Sequence, residues 1–132
     1  MSTPVKQYKH WVRLVALHFS MPFEDLINTK IRTDEHARAR AVFYGLCIRN
    51  GIDLYRLAEH LGKYRTTFYT SFRKYKHNVK PIIDLISNVN KMTPDEQKIF
   101  DAVMISFPAT SFETAYNVAI QNGANFQIYN HA

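Results

Sequence analysis

Apolar residues recur at helical spacing along almost the whole chain, and each run is closed by a glycine, a proline or a capping residue. Tyr8, Val12, Val15 and Phe19, with Trp11 beside them, form the first such stripe, and Pro22 marks its end. Phe23, Leu26 and Ile27 give a short helical turn that carries Glu24 and Asp25, followed by a loop over Asn28 to Thr33. A longer helix is expected from about Asp34 to Asn50, with Ala37, Ala41, Tyr44, Leu46 and Ile48 available to the core and Gly51 as its stop. Asp53 is placed to cap a helix through Leu54, Leu57, Ala58 and Leu61, which Gly62 ends. The next helix runs from Thr66 to about Lys76, with Phe68, Phe72 and Tyr75 as its buried stripe.

The pattern continues to the C-terminal side. Pro81 opens a helix carrying Ile82, Ile83, Leu85, Ile86 and Val89, and Asn90 to Met92 break it. Thr93-Pro94-Asp95-Glu96 is a capping box with proline at the first helical position, so a helix through Ile99, Phe100, Val103 and Met104 starts there. Pro108 ends it, Ser111 caps a further helix through Tyr116 and Ile120, and Gly123 stops that one, leaving Ala124 to Ala132 without a clear period. The fold expected is all-α: a bundle of about six to eight helices with an embedded helix-turn-helix. Residues 1–80 would form a basic domain and residues 81–132 an acidic helical extension packed on it.

With 132 residues, 46% of them apolar, the chain can bury one core of its own. Cys47 is the single cysteine, and no paired Cys or His spacing would cage a metal, so neither disulfide, metal nor cofactor is expected and a reducing, cytoplasmic setting fits best. Lys6, Lys9 and Arg13 precede an apolar run that His18 and Ser20 interrupt, which reads as an amphipathic helix rather than a signal peptide or membrane span. Residues 1–80 hold 15 Lys and Arg against 6 Asp and Glu, a net of +9, whereas residues 81–132 hold 2 against 5, a net of −3. A first part so charged suits an anionic partner, because neutralising phosphates releases condensed counterions.

Within the basic part, LAEHLGKYRTTFYTSFRKYK, Leu57 to Lys76, has the form of two helices joined by a short turn. Ala58 is small enough for a close crossing, Gly62 can take the left-handed conformation the turn needs, and Phe68 would anchor the second helix. Its outward face then carries Arg65, Thr66, Thr67, Tyr69, Thr70, Arg73 and Lys74, with no carboxylate. Threonine can bond a base edge or phosphate and touch a thymine methyl, and arginine can grip guanine with two bonds. Catalysis finds no matching constellation: Glu24 with Asp25, and Glu59 with His60, are neighbours pointing about 100° apart on a helix, and Cys47 sits in an apolar helix.

From about Leu14 to Tyr75 the chain resembles the C-terminal DNA-binding domain of the bacterial replication initiator DnaA. Val15 to Leu26 is similar to that family's helix and acidic turn ending in Asp-Leu, and Lys30 to Thr33 resembles its basic loop. Ala37 to Ala41, ARARA, resembles its Ala-Arg-Pro-Arg-Gln helix start, and LGKYRTTF, Leu61 to Phe68, resembles its Phe-Gly-Gly-Arg-Asp-His-Thr-Thr-Val signature. Tyr64 and Arg65 stand where the signature has Arg-Asp-His, in a turn one residue shorter. The resemblance implies a Trp-repressor-like helix-turn-helix that binds double-stranded DNA in replication or transcription. Arg32 would enter the minor groove, and Thr66 and Thr67 would be the paired threonines of the reading helix. Arg38 and Arg40 would hold phosphates, joined on the sequence's own pattern by Lys63 and Arg73.

No Gly-x-x-x-x-Gly-Lys-Ser/Thr phosphate loop occurs, so the chain has no such nucleotide site of its own. The alternative reading is a protein-interaction module on the same fold. Phe107, Phe112, Tyr116, Phe126 and Tyr129 could supply its apolar surface, with Phe112 and Tyr116 the better candidates for the core. A homodimer or a replication-protein partner through the C-terminal part is compatible with either reading.

Overall fold

The computed structural model describes residues 4–27, 33–63, 65–107 and 110–131, and the side chains of Val5, Arg65, Thr67, Phe68, Ser71 and 124–131 lie outside that description. A short 3-10 turn, Val5–Gln7, leads into α1 (Tyr8–Phe19). Then follow α2 (Phe23–Ile27), α3 (Asp34–Arg49), α4 (Leu54–Leu61), α5 (Arg65–Asn90), α6 (Pro94–Ser106) and α7 (Phe112–His131). The described residues are thus all helix and connection, with no strand. The chain divides into two compact units, Met1–Asp84 and Leu85–Ala132, and the boundary falls inside α5.

In the first unit α3 is the central element, because every residue from Ala39 to Cys47 is buried. A helix buried on all sides needs apolar or small residues around its whole circumference, and Ala39, Ala41, Val42, Phe43, Gly45 and Leu46 supply them. α1 packs on it with Trp11, Val12 and Val15 buried, and the rings of Tyr8 and Phe43 lie 6.3 Å apart. The polar exception is Arg40, 6% exposed, whose Nε donates to the Leu26 carbonyl at 3.0 Å and whose Nη2 donates to that of Asp25 at 3.4 Å. Those bonds tie α2 to α3. Burial pushes the Tyr44 phenol up to about 12, with nearby Arg40 pulling it down and Cys47 adding to the rise. Burial likewise pushes the Cys47 thiol far up, which keeps it neutral.

Three helices end in one hydrogen-bond pattern. Ser20, Gly51 and Gly62 all adopt positive φ, at 53°, 77° and 66°. In each case the left-handed residue's N–H reaches back three residues, to Leu17, Ile48 and Glu59, and the next N–H reaches back five, to Ala16, Cys47 and Ala58. This closes the last carbonyls of α1, α3 and α4 and turns the chain sharply. The helix starts are equally explicit: Thr33, Asp53 and Ser111 each accept a backbone N–H of the following turn, and Thr93 with Glu96 completes the capping box.

Several expectations change. α5 does not stop near Lys76 and restart at Pro81; it is one helix through the proline. Pro81 has no N–H to give the His77 carbonyl, a loss of about 3 kcal/mol in a helix interior. Val79 and Ile83 are nevertheless buried on either side of it within the first unit, and Ile86 and Val89 within the second, and burial stabilises by about 1.5–3 kcal/mol for each such side chain. Earlier in the same helix Phe72 and Tyr75 are only half-buried, while Phe68 lies outside the described side chains. Ile48 is 40% exposed rather than core, and Ile120 is also exposed.

In the second unit Phe100 of α6 meets Phe112 of α7 edge to face, ring centroids 5.2 Å apart, with Ala115 and Ala119 buried nearby in sequence. Gly123 does not stop α7, which continues to His131. The glycine is there because α7 approaches α6 closely: a Cβ on it would lie 2.7 Å from Glu96 Cγ. Pro108 lies outside the described residues, and α6 itself ends at Ser106. Among the described residues no helix is long and apolar enough to cross a membrane.

Three outcomes follow from this packing. Ser20→Gly removes the left-handed strain of a residue with a Cβ and raises stability by about 0.5–1 kcal/mol after allowing for the more flexible unfolded chain, as read by urea denaturation. Gly123→Ala lowers the stability of the second unit although alanine is the better helix former, because the new methyl meets a Glu96 side chain held in the capping box. An unchanged melting curve would remove that contact. Above about pH 9 the unfolded chain ionises Cys47 while burial keeps the folded chain's thiol protonated, so stability falls as the pH rises further. Cys47→Ala takes that part of the alkaline slope away.

Candidate nucleic-acid interface

α4 and α5 are consecutive helices whose connection starts at the left-handed Gly62, with φ 66° and ψ 34°. The Lys63 N–H donates to the Ala58 carbonyl at 2.8 Å and fixes the chain's exit from α4. Leu57 and Ala58 are buried, so α4 is held by one face while Tyr55, Arg56 and Glu59 remain outside. Asp53 accepts the Tyr55 N–H at 2.9 Å and sets where α4 begins.

The first half of α5 follows this turn. Among its described side chains none is buried before Val79, and Thr66, Tyr69, Thr70, Arg73, Lys74, Lys76, His77 and Lys80 are all exposed. At about 100° per residue Thr66, Thr70, Arg73 and His77 fall on one stripe, with Lys74 and Lys80 beside it. From Thr66 to Lys80 that surface is about 21 Å long. No Asp or Glu occurs from His60 to Ile83, a stretch that contains Lys63, Arg65, Arg73, Lys74, Lys76 and Lys80. Lys74 Nζ lies 5.3 Å from the centroid of the Tyr75 ring, which steadies its stem along the helix.

Asp84 closes the acid-free run. Its carboxylate meets Arg49 Nη2 at 2.8 Å and Lys80 Nζ at 3.6 Å. The hydrogen bond from Arg49, aided by Lys80, holds its carboxyl below the usual range.

The residues expected at a DNA surface separate into four groups. Thr66, Thr70, Arg73 and Lys74 share the exposed flank of α5, and Arg38 is exposed on α3. Lys63 is half-exposed at the turn. Arg65 and Thr67 belong to the first turn of α5, with side chains outside the description, and Arg32 and Tyr64 lie outside the described residues. Arg40 is the correction: it is buried and its guanidinium is committed to the carbonyls of Asp25 and Leu26, so it has no surface to offer a phosphate. Lys76, His77 and Lys80 extend the same exposed flank, which the sequence pattern alone ends near Lys76. The signal that could have found them is the absence of carboxylates as far as Ile83.

Among the described residues no group of three or more His, Cys, Asp or Glu side chains could hold a metal ion. Comparison of the chain with protein-family models, with curated proteins and with solved structures finds no match in any of the three.

Proposed function

We infer that the first unit binds double-stranded DNA through the exposed, carboxylate-free face at the start of α5. The single observation that carries this reading is that face itself: hydroxyls at Thr66 and Thr70 followed by cations at Arg73 and Lys74, all exposed, on a helix that leaves a left-handed turn. A solvated helix normally mixes both signs of charge. A second feature is compatible with it: α5, like α1 and α4, has no acid in its first turn, and it opens on Arg65. An anion from outside would relieve that accumulation of positive charge.

In this reading Thr66, Thr70 and Arg73 meet base edges and nearby phosphates in the major groove. Lys63, Lys74 and Arg38 contact the backbone, Thr67 and Arg32 occupy the places the DnaA resemblance gives them, and Tyr64 and Arg65 join the contact in place of that family's Arg-Asp-His. That resemblance favours a role in replication or transcription. Arg40 contributes to the fold and not to the contact.

Binding to a pool of random duplex DNA at several salt concentrations tests this. About five phosphate contacts give a log–log slope near −4.5, a loss of roughly 500-fold between about 50 and 200 mM salt. Arg73→Ala with Lys74→Ala lowers the magnitude of that slope by about 2, and Thr66→Ala with Thr70→Ala flattens any preference among sequences while leaving the slope in place. Arg40→Ala instead lowers stability. An affinity that does not change with salt would end the DNA reading.

A further inference from the structure

A groove of about 420 Å³ opens beside the C-terminal half of α3 and the middle of α5. Its floor is Gly45, Ile48, Phe72 and Ile83, and its rim is Arg49, Lys76, His77 and Lys80. Gly45 sets the depth. A Cβ there would lie 2.5 Å from Ile83 Cδ1 and 2.9 Å from Phe72 Cε2, so its absence lets both side chains settle on the backbone of α3. Glycine inside a helix is destabilising relative to alanine, and here it stands in the middle of the helix buried from Ala39 to Cys47. Ile48 in that floor is 40% exposed. The rim carries the permanent cations Arg49, Lys76 and Lys80, against the single carboxylate of Asp84, which pairs with two of them.

An occupant must therefore bring apolar groups for the floor and anionic groups for the rim. A phosphodiester strand satisfies the rim and leaves the aliphatic floor wet. A fatty-acid chain fits the floor but offers one carboxylate to three cations, and in a groove open to solvent it keeps its outer side in water. An amphipathic helix supplies both, with aliphatic anchors along one stripe and carboxylates beside them. We propose that this groove docks an acidic amphipathic helix of a partner protein, its anchors on Ile48, Phe72 and Ile83 and its carboxylates on Arg49, Lys76 and Lys80. Asp84 holds Arg49 and Lys80 at the rim in the free protein, where the partner's carboxylates take over in the complex. This site adjoins the Thr66–Lys74 face and shares His77 and Lys80 with its continuation along α5, but it does not depend on the DNA reading.

The probe is a fluorescein-labelled helical peptide of about 16 residues with leucines at every third or fourth position and glutamates between them, followed by anisotropy against the full chain. Saturable binding with Kd below about 100 µM is expected, weakened at least about tenfold by Leu→Ser or Glu→Lys replacement in the peptide. Ile48→Glu, at a half-exposed position the fold tolerates, and separately Lys76→Glu should each weaken it by a similar factor, with thermal melting confirming that both variants fold. No saturation up to about 1 mM overturns the proposal. So does equal binding of the Leu→Ser peptide, which would make the contact one of charge alone, or binding indifferent to Ile48→Glu. Oleate that binds where the peptide does not would give the groove to an acyl ligand instead.

Discussion

A helix buried around its whole circumference has no face on which to place a polar side chain cheaply, and α3 is such a helix from Ala39 to Cys47. Everything else in the first unit follows from surrounding it. α1 and α2 both pack on it, and Gly45 lets Phe72 and Ile83 of α5 settle against its backbone. The one strongly polar residue in that stretch, Arg40, is accommodated because α2 ends with carbonyls at Asp25 and Leu26 within its reach. A five-residue helix such as α2 is too short to be stable on its own, and bonds from a buried guanidinium are worth about 1.5–3 kcal/mol each. The arginine therefore satisfies itself and fixes a neighbour that could not otherwise persist.

α3 and the helices packed around it have to turn sharply within a few residues. α1, α3 and α4 do so with the same device, a left-handed residue whose N–H and the next one fold back onto the last turn. Glycine takes that conformation without strain at 51 and 62, whereas Ser20 does it with a Cβ in the way. At Gly62 the same closure satisfies the last carbonyls of α4 as the chain turns towards α5.

How much of this is legible in the sequence depends on the range of the interaction. Caps are local: Asp53, Thr93 with Glu96, Ser111 and Gly62 are read from a few adjacent residues, and the structure carries all of them. The helical class is legible for the same reason, since each apolar stripe is its own signal. Arg40 is not, because its partners lie 14 and 15 residues away and a cation near ARARA reads as surface until α2 is placed. Nor is the role of Gly123, whose reason is Glu96 on another helix. Pro81 misleads because proline is a local breaker, and only the burial of Val79 and Ile83 on either side of it shows that it is overruled. Of the candidate site, Thr66, Thr70, Arg73 and Lys74 are legible as one face, while the basic continuation through Lys80 shows in the sequence as a run without carboxylates and joins that face because α5 is continuous.

That continuity explains how a basic, poorly covered segment stays helical at all. The three turns after Arg65 bury none of their described side chains, and an isolated helix of that length is marginal in water. Like charges three and four residues apart, Arg73 with Lys76 and Lys76 with Lys80, make matters worse. What holds it is propagation: once Val79 and Ile83 are buried, each further residue towards the N-terminus adds a hydrogen bond without a new nucleation step. Phe72, resting at Gly45, adds one point of contact midway along the exposed half. Breaking the helix at Pro81 would leave the exposed half without the buried stripe that continues beyond it. The proline is tolerated because the packed half compensates for it, and the exposed half inherits its order from that compensation.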